Sequence, residues 1–286
     1  MSTLQQIAAV HGRGLVPADS PVVGMDDLGL TRGHGCFDAT RVTWGEDGPV
    51  VDMLEAHVAR LERSAAALGI EGPLAPAWHE LVDGVCGAWQ GTAEAMLKLV
   101  LTGGGETTGG APVAYVTLTE IAETSLRERE GISVATLSRG MASDAFADAP
   151  WLLGGVKTIA YAVNLAAKAE ARRRGADDAL FVSTDGVVLE GPTSAVVLRE
   201  GNRLVTTPTG DTGVLASVTI ERMTRAVEDE DVTLTTALFS LDRLLAADGA
   251  WFVSSVRGVA PMRRIDDTDM PVDTGGDALV RRLAGF

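Results

Sequence analysis

The chain has 286 residues, of which 46% are hydrophobic and 22% charged, and its formal net charge is −15 at pH 7. The length suits two domains of roughly 150 residues each, and the composition is that of compact globular proteins and not of disordered ones. The acidic charge has the wrong sign for a protein that binds nucleic-acid phosphates or an anionic membrane surface, so we expect neither partner.

Hydrophobic periodicity predicts strands and helices in an irregular alternation. In chain order the predicted elements are helices over 57–68 and 75–89, strands over 95–102, 113–121 and 132–137, a helix over 161–174, strands over 179–183, 195–198 and 203–206, helices over 218–227 and 241–247, and a strand over 250–254. Because strands and helices mix without a strict βαβ order, the sequence predicts an α/β protein with mixed sheets.

A charged, irregular segment near the middle is the best candidate for a domain boundary. It reads EIAETSLREREG over 120–131 and follows a predicted strand. We therefore predict an N-terminal α/β domain over 1–122, a linker over 123–131 and a C-terminal domain over 132–286. The glycines between 103 and 110 are predicted to form a hairpin loop, since no helix start and no GK[ST] follow them.

Features of the termini and cysteines predict the compartment. The start MSTLQQIAAV lacks the basic, then apolar pattern of a signal peptide, and no run approaches the roughly 18 apolar residues of a membrane span. Cys36 and Cys86 form no CxxC pair, which favours a reducing cytoplasm. Cys36 lies two residues from His34, but without further ligands at suitable spacing a packed thiol is favoured over a zinc site, and we predict no metal.

Lysine is scarce in this chain, which has 21 arginines but only Lys98, Lys157 and Lys168. Lys157 follows a glycine pair and precedes an apolar helix, a setting in which desolvation lowers the pKa of an amine and frees it as a nucleophile. Such a lysine suits a Schiff base. From position alone, a structural lysine with its stem on apolar surface is the more frequent case.

Residues around Lys157 carry a family resemblance. Lys157, Thr158, Tyr161 and Asn164, followed by GADDALFVSTDGVVLEGPTSAVV, resemble the signature of the class IV aminotransferases, the fold-type IV pyridoxal-phosphate (PLP) enzymes. Further blocks stand in family order: TRGHGCFDATRV, EAHVARLERSAAALGI, LVTTPTGDTGVLASVTIERM and WFVSSVRGVAPM. The resemblance implies a two-domain fold like that of D-amino-acid aminotransferase, assembled as a homodimer.

The same resemblance implies roles for individual residues. Lys157 would hold PLP as a Schiff base and carry the proton at the substrate carbon, and Tyr161 would donate to the cofactor's phenolic oxygen. Glu190 would pair with the pyridine nitrogen and keep it protonated, so that the ring can accept an electron pair. The phosphate would be bound by Arg60, Val218, Thr219 and Ser255. From sequence position alone, Arg60 is predicted to be an exposed arginine on a helix, and Glu190 is predicted to be a carboxylate at the end of a strand.

Within the family, three features look most like 4-amino-4-deoxychorismate lyases: the CF[DET]xxRV order, the four-residue spacing from Lys157 to Tyr161, and the VSTDGxVLEGP block. This likeness implies conversion of aminodeoxychorismate to 4-aminobenzoate and pyruvate, a step of folate biosynthesis. The alternative is a class IV aminotransferase that acts on branched-chain or D-amino acids. A cofactor-free interaction module is disfavoured by the retained Lys157, Tyr161 and Glu190, and a nicotinamide enzyme by the absence of a placed GxGxxG.

Two departures from the family pattern concern anion binding. Members often read G-I-T-R where this chain has Ser217–Ile220, and many have Arg-Gly where it has Gly103 and Gly104. The resemblance implies a substrate pocket formed by Phe37, His34 and Arg41, with Arg41 as the carboxylate-binding cation. Arg139 or Arg257 are further candidates for the cation missing at position 103.

Overall fold

The computed structural model describes residues 4–286, which divide into two compact units. Unit 1 contains the described chain up to Ala122 together with Val156–Tyr161, and unit 2 contains Glu123–Gly155 and Ala162–Phe286. The residues 123–131, predicted as a linker, form a short helix and a 3-10 turn that begin unit 2. No local pattern in the sequence indicates that Val156–Tyr161 packs with unit 1.

Unit 1 is built on one antiparallel sheet. Its elements are β1 (Gln6–Val10), β2 (Gly14–Val16), α1 (Leu28–Arg32), β3 (Gly35–Gly45), β4 (Gly48–Val51), α2 (Leu54–Leu68), α3 (Ala75–Ala88), β5 (Glu94–Thr102) and β6 (Ala114–Glu120). The six strands lie in the order β2-β1-β6-β5-β3-β4, and every neighbouring pair is antiparallel. The long strand β3 lies next to the edge strand β4 and pairs with β5 over nine residues, so the whole CFDATRV motif is paired with β5.

The two faces of this sheet differ in chemistry because successive strand residues point to opposite sides. Along β5, Leu97 and Leu99 are buried in a core that includes residues of α2 and α3, and Lys98 lies between them on the other face. Along β3, Asp38 is buried and Phe37 is partly exposed. Phe37 and Lys98 therefore share the face that is opposite the helices of unit 1.

Unit 2 is a mixed α/β structure. Its elements are α4 (Glu123–Arg127), β7 (Ile132–Ser138), α5 (Ala162–Arg173), β8 (Asp178–Val182), β9 (Ala195–Glu200), β10 (Arg203–Thr206), α6 (Val218–Ala226), β11 (Thr233–Thr236), α7 (Leu241–Leu245), β12 (Gly249–Ser254), β13 (Gly258–Ile265), β14 (Thr268–Asp269) and α8 (Thr274–Ala284). Seven strands follow the order β11-β10-β9-β12-β13-β7-β8, with β14 beside β13. Parallel pairs (β10/β11, β13/β7, β7/β8) and antiparallel pairs occur together, so the predicted α/β class with mixed sheets is confirmed.

The ends of several helices agree with the sequence patterns. Helix α2 ends before Gly69, whose φ of 66° is left-handed and whose N–H bonds to the carbonyls of Ala65 and Ala66, as the glycine predicts. Helix α5 begins one residue later than predicted and ends one residue earlier. No helix within residues 4–286 combines the length and the apolar composition needed to cross a membrane.

Candidate active site

Lys157 lies on a short segment that pairs with the start of β3. The N–H of Phe37 donates to the Lys157 carbonyl at 3.0 Å, and the N–H of Ile159 donates to the Gly35 carbonyl at 3.0 Å. The Lys157 N–H also donates to Ser64 Oγ of α2 at 3.3 Å. These backbone bonds fix the position of the lysine in unit 1 and leave its side chain to project from the segment.

The Lys157 amine is surrounded by aromatic groups. Its Nζ lies 3.4 Å from the Tyr161 Oη, 4.7 Å from the centre of the Phe37 ring and 5.7 Å from that of Tyr161. The Phe37 and Tyr161 rings meet edge to face, with centroids 5.0 Å apart. The structure thus brings three predicted site residues together, in an arrangement in which a half-buried amine can exchange a proton with a phenol.

Arg60 belongs to a fully enclosed charge cluster. Its Nε and Nη2 donate to the two carboxylate oxygens of Asp38, each at 2.8 Å, and the His57 Nδ1 lies 2.7 Å from Asp38 Oδ1. Asp38 and His57 are 0% exposed and Arg60 is 6% exposed. Burial on its own raises the pKa of Asp38, but the hydrogen bonds from Arg60 and His57 outweigh it and hold that pKa well below its ordinary value.

Asp38 and His57 are two site residues for which the sequence alone predicted no role. The available signals were the strand alternation, which turns Asp38 away from Phe37, and the three-residue spacing of His57 and Arg60, which puts both on one side of α2. Arg60, predicted as an exposed or phosphate-binding arginine, is buried and oriented by a carboxylate. Its guanidinium is therefore fixed in direction, which is a property that an anion site requires.

The other two residues predicted for the substrate pocket have partners elsewhere in unit 1. Arg41 pairs with Asp52 at 2.7 Å and with Glu94 at 3.7 Å, and its side chain is only 13% exposed. The His34 Nε2 lies 3.0 Å from the Leu68 carbonyl. Of the three residues predicted for the pocket, Phe37 is the one that contacts the Lys157 amine.

Gly103, the position of the missing arginine, is closely packed against His34. A Cβ at residue 103 would lie 2.4 Å from His34 Nδ1 and 3.1 Å from the His34 carbonyl oxygen. We expect Gly103→Ala to lower the free energy of unfolding by about 1–3 kcal/mol, because the His34 ring would have to move away from its contact with the Leu68 carbonyl. Urea denaturation measures this, with Gly84→Ala as the control, since Gly84 is helical and has no atom within 4 Å of its added Cβ. Equal stabilities of Gly103→Ala and the wild type would contradict the prediction.

Cys36 is a buried thiol behind this site. Burial, and secondarily the charge of Asp38, raises its pKa to about 12, so the protonated form prevails. Among residues 4–286 no group of three or more histidines, cysteines or carboxylates is placed to hold a metal ion.

In unit 2, Glu190 follows the buried residue Leu189 and faces a pocket. Its Oε2 accepts a hydrogen bond from the Leu215 N–H at 3.3 Å. The Asn164 amide donates to the Pro192 carbonyl at 2.6 Å and connects helix α5 to the loop after Glu190. The pocket that contains Glu190 is lined by Arg139, Phe146, Phe181, Leu189, Thr212, Gly213 and Val214.

The start of helix α6 forms the second polar feature of unit 2. Ser217 caps the helix by accepting from the Ile220 N–H at 3.3 Å, and Val218 and Thr219 are buried in the first turn. The Thr219 Oγ1 lies 3.1 Å from Ser255 Oγ. The predicted residues Val218, Thr219 and Ser255 are thus grouped at a helix N-terminus, where backbone N–H groups and hydroxyls favour an anion.

The two arginines considered as replacements for the missing cation differ in their surroundings. Arg257 is buried and donates to Asp178 at 2.7 Å, to Glu128 at 2.8 Å and to Ser194 at 2.6 Å, so it is part of the interior of unit 2. Arg139 lies over the Phe181 ring at 5.3 Å and lines the pocket of Glu190.

The chemistry of these groups fits pyridoxal phosphate. Lys157 provides an amine for the aldehyde, Glu190 a carboxylate for the ring nitrogen, and the α6 N-terminus with its hydroxyl pair a site for the phosphate. Each of these three groups makes hydrogen bonds within its own unit: Lys157 with Tyr161, Glu190 with Leu215, and Thr219 with Ser255.

Comparisons with known proteins give a consistent result. The family model of amino-transferase class IV matches residues 35–265. The chain is 33% identical to the bifunctional aminodeoxychorismate lyase / D-amino acid transaminase of Mycobacterium tuberculosis, over 93% of each chain. It is similar to a fold IV-transaminase from Curtobacterium pusillum (37% identity, TM-score 0.88, 97% and 98% coverage) and to the PLP-bound form of a hypothetical aminotransferase from Mycobacterium tuberculosis (31%, TM-score 0.92, 98% and 97%).

Proposed function

Since the chain belongs to the amino-transferase class IV family and is thus a PLP-dependent enzyme of fold type IV, we propose that it is a 4-amino-4-deoxychorismate lyase. The observation that carries the proposal is the Lys157 amine 3.4 Å from the Tyr161 hydroxyl, in a chain whose relative bears the lyase name. The product 4-aminobenzoate would serve folate biosynthesis.

Lys157 and Tyr161 would have different roles in the reaction. Bound PLP supplies an electron sink for the pair released when a proton leaves the substrate. Lys157 would hold the cofactor and then remove the ring proton from the substrate carbon that bears nitrogen. Loss of that proton, with departure of pyruvate, aromatises the ring. Tyr161, within hydrogen-bonding distance of the Lys157 amine, would orient it.

The residues that bind the cofactor would act by position and charge. In unit 1, Arg60, held in direction by Asp38, would contribute to phosphate binding. In unit 2, the N–H groups of Val218 and Thr219 and the hydroxyls of Thr219 and Ser255 would do the same. The Glu190 carboxylate would keep the pyridine nitrogen protonated, because a nearby negative charge favours the cationic form.

A D-amino-acid transaminase is the second candidate, because the Mycobacterium tuberculosis relative carries both activities in its name. Both reactions begin with proton removal by Lys157. In the lyase reaction the amino nitrogen of the substrate stays on the aromatic product, whereas in the transaminase reaction it is transferred to a keto acid. One chain can therefore perform both.

The test supplies the PLP-loaded protein with enzymatically generated aminodeoxychorismate and quantifies 4-aminobenzoate and pyruvate. We expect equimolar products from the wild type and from Lys168→Ala, whose lysine forms a 3.8 Å ion pair with Asp178, and none from Lys157→Ala. A parallel assay supplies D-alanine with 2-oxoglutarate as the amine acceptor. Pyruvate and glutamate from that assay, without 4-aminobenzoate from aminodeoxychorismate, would replace the lyase by the transaminase, and absence of products in both assays would overturn both.

We also propose that the protein is a homodimer, as in the family it resembles. Sedimentation equilibrium at micromolar concentration tests this, with twice the chain mass as the expected result. A monomer that still takes up PLP would contradict it.

A further inference from the structure

Lys98 is a half-buried lysine whose charge has no acceptor. It lies on β5, on the sheet face opposite the core, and within residues 4–286 its ammonium makes no hydrogen bond or ion pair. Burial lowers its pKa from the ordinary value, as expected for a cation that is partly removed from water. An ammonium in such a place is costly unless an anion accompanies it.

The position of Lys98 relates it to Lys157. The Nζ atoms of Lys98 and Lys157 lie 5.6 Å and 4.7 Å from the centre of the same Phe37 ring. The strand register explains this, since Ala39 of β3 pairs with Lys98 and Phe37 is two residues away on the same face. The ammonium groups of Lys98 and Lys157 therefore contact the same aromatic ring.

The other predicted or nearby cations of unit 1 already have carboxylate partners. Arg41 pairs with Asp52, Arg60 with Asp38, and the exposed Arg32 with Glu106 at 2.8 Å. Position 103, where many relatives place an arginine, has no side chain and no room for one beside His34. Of Arg32, Arg41, Arg60 and Lys98, Lys98 alone has no carboxylate partner within residues 4–286, and it shares the Phe37 ring with Lys157.

We propose that the Lys98 ammonium binds a carboxylate of the amino substrate and so selects amino acids over simple amines. The inference rests on the proposed function, because both the lyase and the transaminase substrates carry a carboxylate. A lysine suits this role as a compact point charge on a flexible stem, and an arginine would bind the same group with a different geometry.

The first experiment compares Lys98→Met and Lys98→Arg with the PLP-loaded wild type in the assay above. We expect Lys98→Met to raise KM by about 10- to 100-fold, the range of a hydrogen bond to a charged group, and to change kcat by less than about threefold. Lys98→Arg should recover most of the KM. An unchanged melting temperature and an unchanged PLP absorbance in Lys98→Met would distinguish carboxylate binding by Lys98 from a structural role. A fall in kcat at constant KM would overturn the proposal.

The second experiment is independent of turnover. Calorimetry measures binding of benzoate and of its uncharged analogue benzamide to the PLP-loaded protein, with Lys168→Met as the matched control. We expect benzoate to bind more tightly than benzamide to the wild type and to Lys168→Met, and Lys98→Met to lose that preference. If turnover is absent but this pattern holds, the proposed function fails and the Lys98 site stands. Equal binding of both compounds by the wild type, or a preference that survives in Lys98→Met, would overturn the site.

Discussion

Replacing Lys157 by alanine should abolish turnover, with a loss of about 10⁴-fold or more, because one substitution removes both the covalent anchor of the cofactor and the base. An amine added to the solution can take over proton transfer, but it cannot replace the covalent bond between the protein and the cofactor. Adding methylamine to Lys157→Ala should therefore restore a small, concentration-dependent fraction of the rate. The fold should be unaffected, since the backbone bonds of Lys157 to Phe37 and Ser64 do not involve its side chain.

Cofactor attachment gives a direct readout of the same residue. Borohydride treatment of the wild type should fix PLP to the peptide that contains Lys157, as detected by mass spectrometry, and should fix it to neither Lys98 nor Lys168. Label on Lys98 in the wild type would reverse the roles of the two lysines that contact Phe37.

Asp38→Asn should cost about 3–5 kcal/mol of stability, the penalty for leaving one member of a buried ion pair without its partner. The Arg60 guanidinium would keep its charge in a place where it is 6% exposed and would lose the carboxylate that directs both its Nε and its Nη2. PLP should also bind more weakly, as measured by equilibrium dialysis of the folded variant. Asp47→Asn is the control, because Asp47 is exposed in the turn between β3 and β4, and we expect a change within about 0.5 kcal/mol.

The pH dependence of this effect follows from the direction of the pKa shift. The pKa of Asp38 is held below its ordinary value of 3.8 in the folded protein, so the unfolded chain takes up the proton first as the pH falls. The stabilisation is therefore complete at neutral pH and is lost progressively below about pH 4. Urea titrations at pH 7 and at about pH 3, where the unfolded carboxyl is protonated and the folded Asp38 is still charged, should show a smaller difference in the free energy of unfolding between wild type and Asp38→Asn at the lower pH. An equal difference at both would mean that Asp38 is not charged in the folded state.

Much of the fold could be predicted because its elements are locally periodic. Helix α3 and strand β10 lie within one residue of their predicted bounds. Strand β3 was not predicted, although it carries a family motif, because its outer face holds Phe37 and Arg41 and its inner face holds Asp38, which obscures the apolar alternation. Helix α8 was also missed, since its first turn contains two glycines.

The sequence by itself determined the α/β class and the set of residues that resemble the family site, because hydrophobic period and motif spacing are local properties of the chain. Only the tertiary structure decided what those residues contact. Asp38 and Arg60 are separated by 22 positions, and Lys98 and Lys157 meet at one Phe37 ring only because β3, β5 and the returning segment Val156–Tyr161 come together. The electrostatic roles of these groups depend on burial and on partners distant in sequence, and no local pattern encodes either.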